Sequence, residues 1–135
     1  MKVSTKGRYA LRMLLDLAEH KEEGYIPLKD IAKRQNISKQ YLEQIISIIN
    51  SSGALRANRG KQGGYMLAKE PSAYTVGQIL RITEGNLAPI ACLEDKVNQC
   101  ERAKSCRTLS MWKGLNKVIT EYLDGITLQN LLEKK

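Results

Sequence analysis

The sequence contains no phenylalanine, one tryptophan, one histidine and only three prolines. Aromatic residues make up 5% of it, so a core has to be assembled from leucine, isoleucine and alanine rather than from rings. No apolar run approaches the roughly 18 residues that a membrane-spanning helix needs. The N-terminus meets Arg8, Arg12 and Asp16 before an apolar stretch of secretory type can form, so a cytoplasmic protein with no membrane partner is expected. The single His20 lies outside any cysteine neighbourhood, and no catalytic triad, Walker loop or zinc-protease motif is present. No enzyme is expected, and no catalytic residue is assigned. Internal repeats, low-complexity tracts and Pro/Ser-rich linkers are absent too.

What is present is a chain of 135 residues, 42% hydrophobic and 27% charged, long enough for one domain with a small appendage. Lys and Arg number 22 against 14 Asp and Glu, a net charge of +8. Such an excess points to a polyanionic partner. Residues 1–70 carry +6 of that charge and residues 71–135 only +2, so a binding module belongs in the first half.

Tyr9, Ala10, Met13, Leu14, Leu17 and Ala18 recur at helical spacing, with Arg8, Arg12, Asp16 and Glu19 elsewhere on the wheel. His20 falls in the last turn, where it suits the helix dipole. Pro27 can open a second helix with Leu28, Ile31 and Ala32 inward, and Ser38 can cap a third. That third helix has an apolar face of Tyr41, Leu42, Ile45, Ile46 and Ile49. Its outer face carries Lys39, Gln40, Glu43, Gln44 and Ser47. Two short helices joined by a tight turn, the second capped and polar outside, read as a helix-turn-helix.

Residues Ala54–Ala57 and Tyr65–Ala68 then read as two short strands flanking Asn58-Arg59-Gly60-Lys61-Gln62-Gly63-Gly64. Three glycines there permit positive φ angles, and Arg59 and Lys61 place two cations at the tip. A basic hairpin after a helix-turn-helix is a winged helix. Thr75 and Gln78 have capping-box form and start a short helix that stops at Gly85. A long helix follows with Leu109, Trp112, Leu115, Ile119, Tyr122 and Leu123 in a stripe, and Thr127 caps a terminal turn with Leu128, Leu131 and Leu132. The expected fold is mainly α. A winged helix-turn-helix DNA-binding domain occupies residues 1–85, a cysteine-bearing loop residues 86–106, and a C-terminal dimerisation helix and turn residues 107–135.

All three cysteines, Cys92, Cys100 and Cys106, lie in that loop, with seven and then five residues between them. An odd number argues against a disulfide framework. Their neighbours, including Glu94, Asp95, Glu101, Arg102, Lys104 and Arg107, are polar, whereas structural cysteines sit among apolar residues. Thiolates suit zinc or an iron–sulfur cluster, but no C-x-x-C pair suggests zinc-finger geometry or a redox dithiol.

Taken together these segments resemble the Rrf2 family of bacterial winged-helix transcription regulators, in particular its IscR-like iron–sulfur branch. Met1 to Ala10, Ile37-Ser38 with Tyr41-Leu42-Glu43-Gln44, and Arg59-Gly60 with Gly63-Gly64-Tyr65 carry the likeness. The cysteine loop followed by Trp112, and Ile126-Thr127-Leu128, extend it over nearly the whole chain. The resemblance implies that Cys92, Cys100 and Cys106 bind a 2Fe-2S cluster, or less often in this family a 4Fe-4S cluster. Two departures stand out. The first cysteine gap is longer than the five residues of the best-known pattern, and Leu109 stands where that pattern has a histidine ligand. Other branches draw an acidic ligand from the partner subunit's first helix, at a position where this chain has Arg8. The fourth ligand is open among Glu94, Asp95, Glu101 and a small molecule.

The function expected is a DNA-binding transcription regulator that senses iron–sulfur or redox status and controls cluster biogenesis genes, acting as a homodimer on a palindromic double-stranded operator. Ser38, Lys39, Gln40, Tyr41, Glu43 and Gln44 on the recognition helix, with Arg59, Gly60 and Lys61 on the wing, are the candidate DNA contacts. The alternative is a cysteine-metabolism repressor of the same family, controlled by a partner protein without a cluster.

Overall fold

The first helix, α1 (Thr5–Glu19), begins where Ser4 turns extended and its side chain accepts the Gly7 amide at 3.2 Å. The computed structural model describes residues 2–95, 97–98 and 100–134; Met1, Lys96, Gln99 and Lys135 lie outside it. Ala10, Met13, Leu14, Leu17 and Ala18 form the buried face of α1. Asp16, which the helical wheel assigns to the polar side, is buried too, at 1% exposure. Two residues far along the chain, Arg34 and Gln35, come to its carboxylate, and no local spacing announces them.

Helix α2 (Leu28–Gln35) ends at Asn36, which adopts the left-handed conformation with φ 53° and ψ 48°. Asparagine tolerates that region better than most side chains. Ser38 then accepts the Tyr41 amide at 3.1 Å and caps α3 (Lys39–Ser51). Leu42, Ile45, Ile46 and Ile49 of α3 all enter the core. With Ile31 and the apolar face of α1 they form a three-helix centre.

Strands β1 (Leu55–Asn58) and β2 (Gly64–Leu67) pair antiparallel, Leu55 opposite Leu67 and Asn58 opposite Gly64. Each pairs one residue nearer the turn than the apolar pattern suggests. On its other side β2 exchanges two hydrogen bonds with Ile26, both at 2.9 Å between Ile26 and Tyr65. The hairpin is thereby fastened two residues before α2.

Helix α4 (Val76–Glu84) opens with the full capping box of Thr75 and Gln78. Among the described residues, the one helical element between Gly85 and Thr108 is a short 3-10 helix, Ala91–Leu93, and residues 100–105 form hydrogen-bonded turns. Helix α5 (Leu109–Asp124) has no buried residue. The chain then returns: Val76 donates to the Ile126 carbonyl at 2.8 Å and Leu128 to that of Tyr74 at 3.0 Å. This places Leu128, the first residue of α6 (Leu128–Glu133), in the core at 0% exposure. Burying one such side chain is worth about 1.5–3 kcal/mol, so the C-terminal turn helps hold the N-terminal domain together. The whole is a mainly helical winged helix-turn-helix with a two-stranded wing.

Candidate nucleic-acid interface

The N-terminal half of α3 and the hairpin tip line one concave surface. Ser38, Lys39, Gln40, Glu43 and Gln44 are all exposed, as are Arg59, Gly60 and Lys61. Between helix and hairpin lies a cleft of about 510 Å³ whose lining includes Lys39, Glu43, Asn58, Gly60 and Lys61. Tyr41 differs from the rest of the expected set. It is half-buried and meets Tyr9 edge-on, ring centroids 5.6 Å apart, while the Arg12 guanidinium lies 5.1 Å from the Tyr9 ring centre. Its packing orients the first turn of α3, whatever its hydroxyl touches.

Lys29, in the first turn of α2, lines the same cleft and is exposed. Sequence reading passed over it, because only the fold brings the start of α2 beside the wing. The surface therefore gathers Lys29, Lys39 and Lys61 around one carboxylate, Glu43. Cations can hold phosphates, Gln can pair bidentately with adenine, and Glu can accept from cytosine N4.

The wing glycines do different work. Gly60 alone of the three takes a positive φ, 103°. A Cβ on Gly63 would lie 2.5 Å from the Asn58 carbonyl oxygen, and one on Gly64 would lie 2.2 Å from that of Ile26. Close backbone approach, rather than left-handed geometry, excludes side chains at both.

The cysteines are all free thiols. Cys92 is half-buried, and Cys100 and Cys106 are exposed. The structure does not gather them: among the described residues no group of three or more His, Cys, Asp or Glu side chains is placed to hold a metal. Cys106 Sγ lies 3.4 Å from the Thr108 hydroxyl. That hydroxyl, then the Thr108 backbone N–H, lowers the Cys106 pKa by stabilising the thiolate. His20 stays in α1 territory, its Nδ1 2.8 Å from the Asp16 carbonyl oxygen.

The model of the Rrf2 family, described as "Iron-dependent Transcriptional regulator", matches residues 3–134. The chain belongs to the Rrf2 family. Rrf2 membership makes it a transcription regulator that binds DNA, and its curated relatives are named as regulators. The HTH-type transcriptional regulator CymR of Bacillus subtilis is 41% identical over 131 residues, 97% of this chain and 89% of that one. A solved structure, described as CymR (YrzC), the global cysteine regulator of B. subtilis, superposes with a TM-score of 0.82 at 39% identity, covering 100% of this chain and 98% of that one. The HTH-type transcriptional regulator IscR of Pectobacterium atrosepticum is 36% identical over 135 residues, 100% of this chain and 81% of that one. The structure of T. potens IscR gives a TM-score of 0.77 at 41% identity, covering 98% of this chain and 87% of that one. Among the described residues, no helix is long and apolar enough to cross a membrane.

Proposed function

We propose that this Rrf2 regulator is a homodimer that binds a palindromic operator and reports iron–sulfur or redox status through a 2Fe-2S cluster held by Cys92, Cys100 and Cys106. The observation that supports it is the placement of three free thiols in the single loop joining the DNA-binding domain to α5. The donor set fits in kind. None of the thiols is committed to a disulfide, two are exposed, and the Cys106 pKa is lowered, the direction that eases formation of the thiolate an iron ligand requires. A bound 2Fe-2S cluster supplies a one-electron centre that is sensitive to oxidants. The chain's own part is mechanical. Cys106 stands two residues before Thr108, from which α5 departs, so gathering the thiols fixes where that helix begins. At the other end Arg81 of α4 holds Asp124 of α5, so a change at the start of α5 is referred to the winged domain.

On the exposed surface of helix and wing, Gln40, Glu43 and Gln44 read base edges, while Lys29, Arg59 and Lys61 hold phosphates or enter a minor groove. The reading is tested by anaerobic purification followed by an absorption spectrum and iron and sulfide assays. Visible cluster bands, lost in Cys100→Ala while the variant remains folded, are expected. A colourless, iron-free protein that binds DNA would favour the second reading, a cysteine-metabolism repressor governed by a partner protein. The close likeness to CymR keeps that reading in play.

A further inference from the structure

Behind the helix-turn-helix lies the one buried charged side chain among the described residues, and the DNA-contacting surface does not use it. Asp16 of α1 accepts from Arg34 twice, Nε to Oδ2 at 3.0 Å and Nη2 to Oδ1 at 2.7 Å. Gln35 Nε2 donates a third bond at 2.9 Å. These donors are the last two residues of α2. One turn earlier in α1, Arg12 donates to the Gln35 side-chain oxygen at 3.2 Å and also to the Gln35 backbone carbonyl. That carbonyl belongs to the last turn of α2, where no intrahelical partner is available.

What the clamp grips is therefore the final turn of α2. Immediately beyond it come the left-handed Asn36, the buried Ile37, and Ser38, the cap of α3. The chain has no slack between the clamped Gln35 and the first exposed residue of the recognition helix, Lys39. Asp16 also raises the Arg34 pKa, its hydrogen bond being the largest influence. Asp16 is buried but the Arg34 side chain stays a third exposed, so desolvation of the carboxylate and solvent screening of the guanidinium leave the pair a poor source of stability. What the geometry does provide is a fixed position.

We infer that Asp16 is a positioning residue for DNA recognition: through Arg34 and Gln35 it sets the end of α2 and so the direction in which α3 presents Lys39, Gln40, Glu43 and Gln44. Asp16 itself touches no DNA. The inference rests on the family's DNA binding, not on the cluster.

The test compares the full-length protein with Asp16→Asn, which keeps size and one carbonyl acceptor but removes the charge. The probes are a duplex selected from a random library by the unsubstituted protein and a random-sequence duplex at the same salt. Asp16→Asn is expected to lose about tenfold in affinity for the selected duplex. Its affinity for random duplex and its salt dependence stay unchanged, because no phosphate contact is removed. Amide resonances of residues 36–39 shift, and those of residues 59–61 at the wing tip do not. The pair Asp16→Asn/Arg34→Met loses no more than the worse single variant, as expected for residues acting as one unit. If Asp16→Asn does not fold, Gln35→Ala provides the second arm, with about threefold loss in the same pattern. A variant that melts earlier yet discriminates the two duplexes as well as the unsubstituted protein would reduce Asp16 to packing and overturn the inference. So would additive losses in the double variant. Failure of sequence-specific binding itself shows in the unsubstituted protein, where library selection enriches nothing, and is thereby distinguished.

Discussion

Arg81 of α4 and Asp124 of α5 meet in a two-point pairing, Nη1 to Oδ1 and Nη2 to Oδ2, each at 2.9 Å. Both side chains are more than a third exposed, so solvent screening limits the pair to less than about 1 kcal/mol. Its importance is positional. It lies where the winged domain joins the helix proposed to carry the dimer contact. Gly77, one turn before Arg81, makes the approach possible: a Cβ there would lie 1.9 Å from Asp124 Oδ1.

Gly77→Ala is therefore expected to push the Asp124 side chain aside and break the pairing, with a loss of about 0.5–1 kcal/mol in urea denaturation. The obstacle is the end of a flexible side chain, so the loss is small. In an Asp124→Ala background the same substitution meets no carboxylate and is expected to be neutral or stabilising, since alanine favours helix more than glycine does. Equal effects in the two backgrounds would show that Gly77 is kept for another reason.

Gly64→Ala presents the opposite case. The atoms that a Cβ would strike are the Ile26 carbonyl at 2.2 Å and the Pro27 nitrogen at 2.8 Å, all backbone. Ile26 is also held in its two-bond bridge with Tyr65. Neither partner can move without unfastening the wing from α2, so a loss of about 2–3 kcal/mol is expected. DNA affinity should fall for every sequence alike, because the wing cations lose their place. A variant with the melting temperature of the unsubstituted protein would show that the bridge is dispensable.

The elements themselves were legible because their signals are local. The apolar spacing from Leu42 to Ile49, the cap at Ser38, and the capping residues Thr75 and Thr127 each decide a helix within a few residues. The hidden features are those that depend on distant partners. Asp16 occupies a polar slot on the wheel, and only folding brings Arg34 and Gln35 onto it. Lys29 reads as an ordinary surface lysine until α2 is laid beside the wing. The glycine-rich tip announces a turn, but composition does not distinguish a residue that needs positive φ, such as Gly60, from residues that need empty space, such as Gly63 and Gly64. The cysteine loop lies at the far limit of this legibility. Its thiols can be counted in the sequence, yet its described residues do not converge.

Recognition helix and wing should separate under mutation. Gln44→Ala is expected to change sequence preference at one base position, costing about 1–3 kcal/mol there. Lys61→Ala is expected to weaken all duplexes alike and to lower the salt slope by about one unit. Binding titrations at several salt concentrations against a panel of single-base variants measure both. The same uniform loss in the two variants would remove the division.

The last expectation concerns α5. Met111, Leu115, Val118 and Tyr122 follow one another at steps of four, three and four residues and are 52%, 37%, 63% and 65% exposed. Such spacing puts them in one line along the helix, the pattern of a seam between two helices. A second copy is the occupant that matches a symmetric operator, since two recognition helices one DNA turn apart require two-fold symmetry. Val118→Glu places a charge in the middle of that line without touching the folded core. The variant is expected to keep its helical circular dichroism but to sediment as a monomer. Affinity for a palindromic duplex should fall at least a hundredfold, because the second half-site no longer binds as part of the same molecule. Affinity for an isolated half-site should be unchanged. If Val118→Glu still sediments as a dimer with full operator affinity, the seam lies elsewhere on the chain.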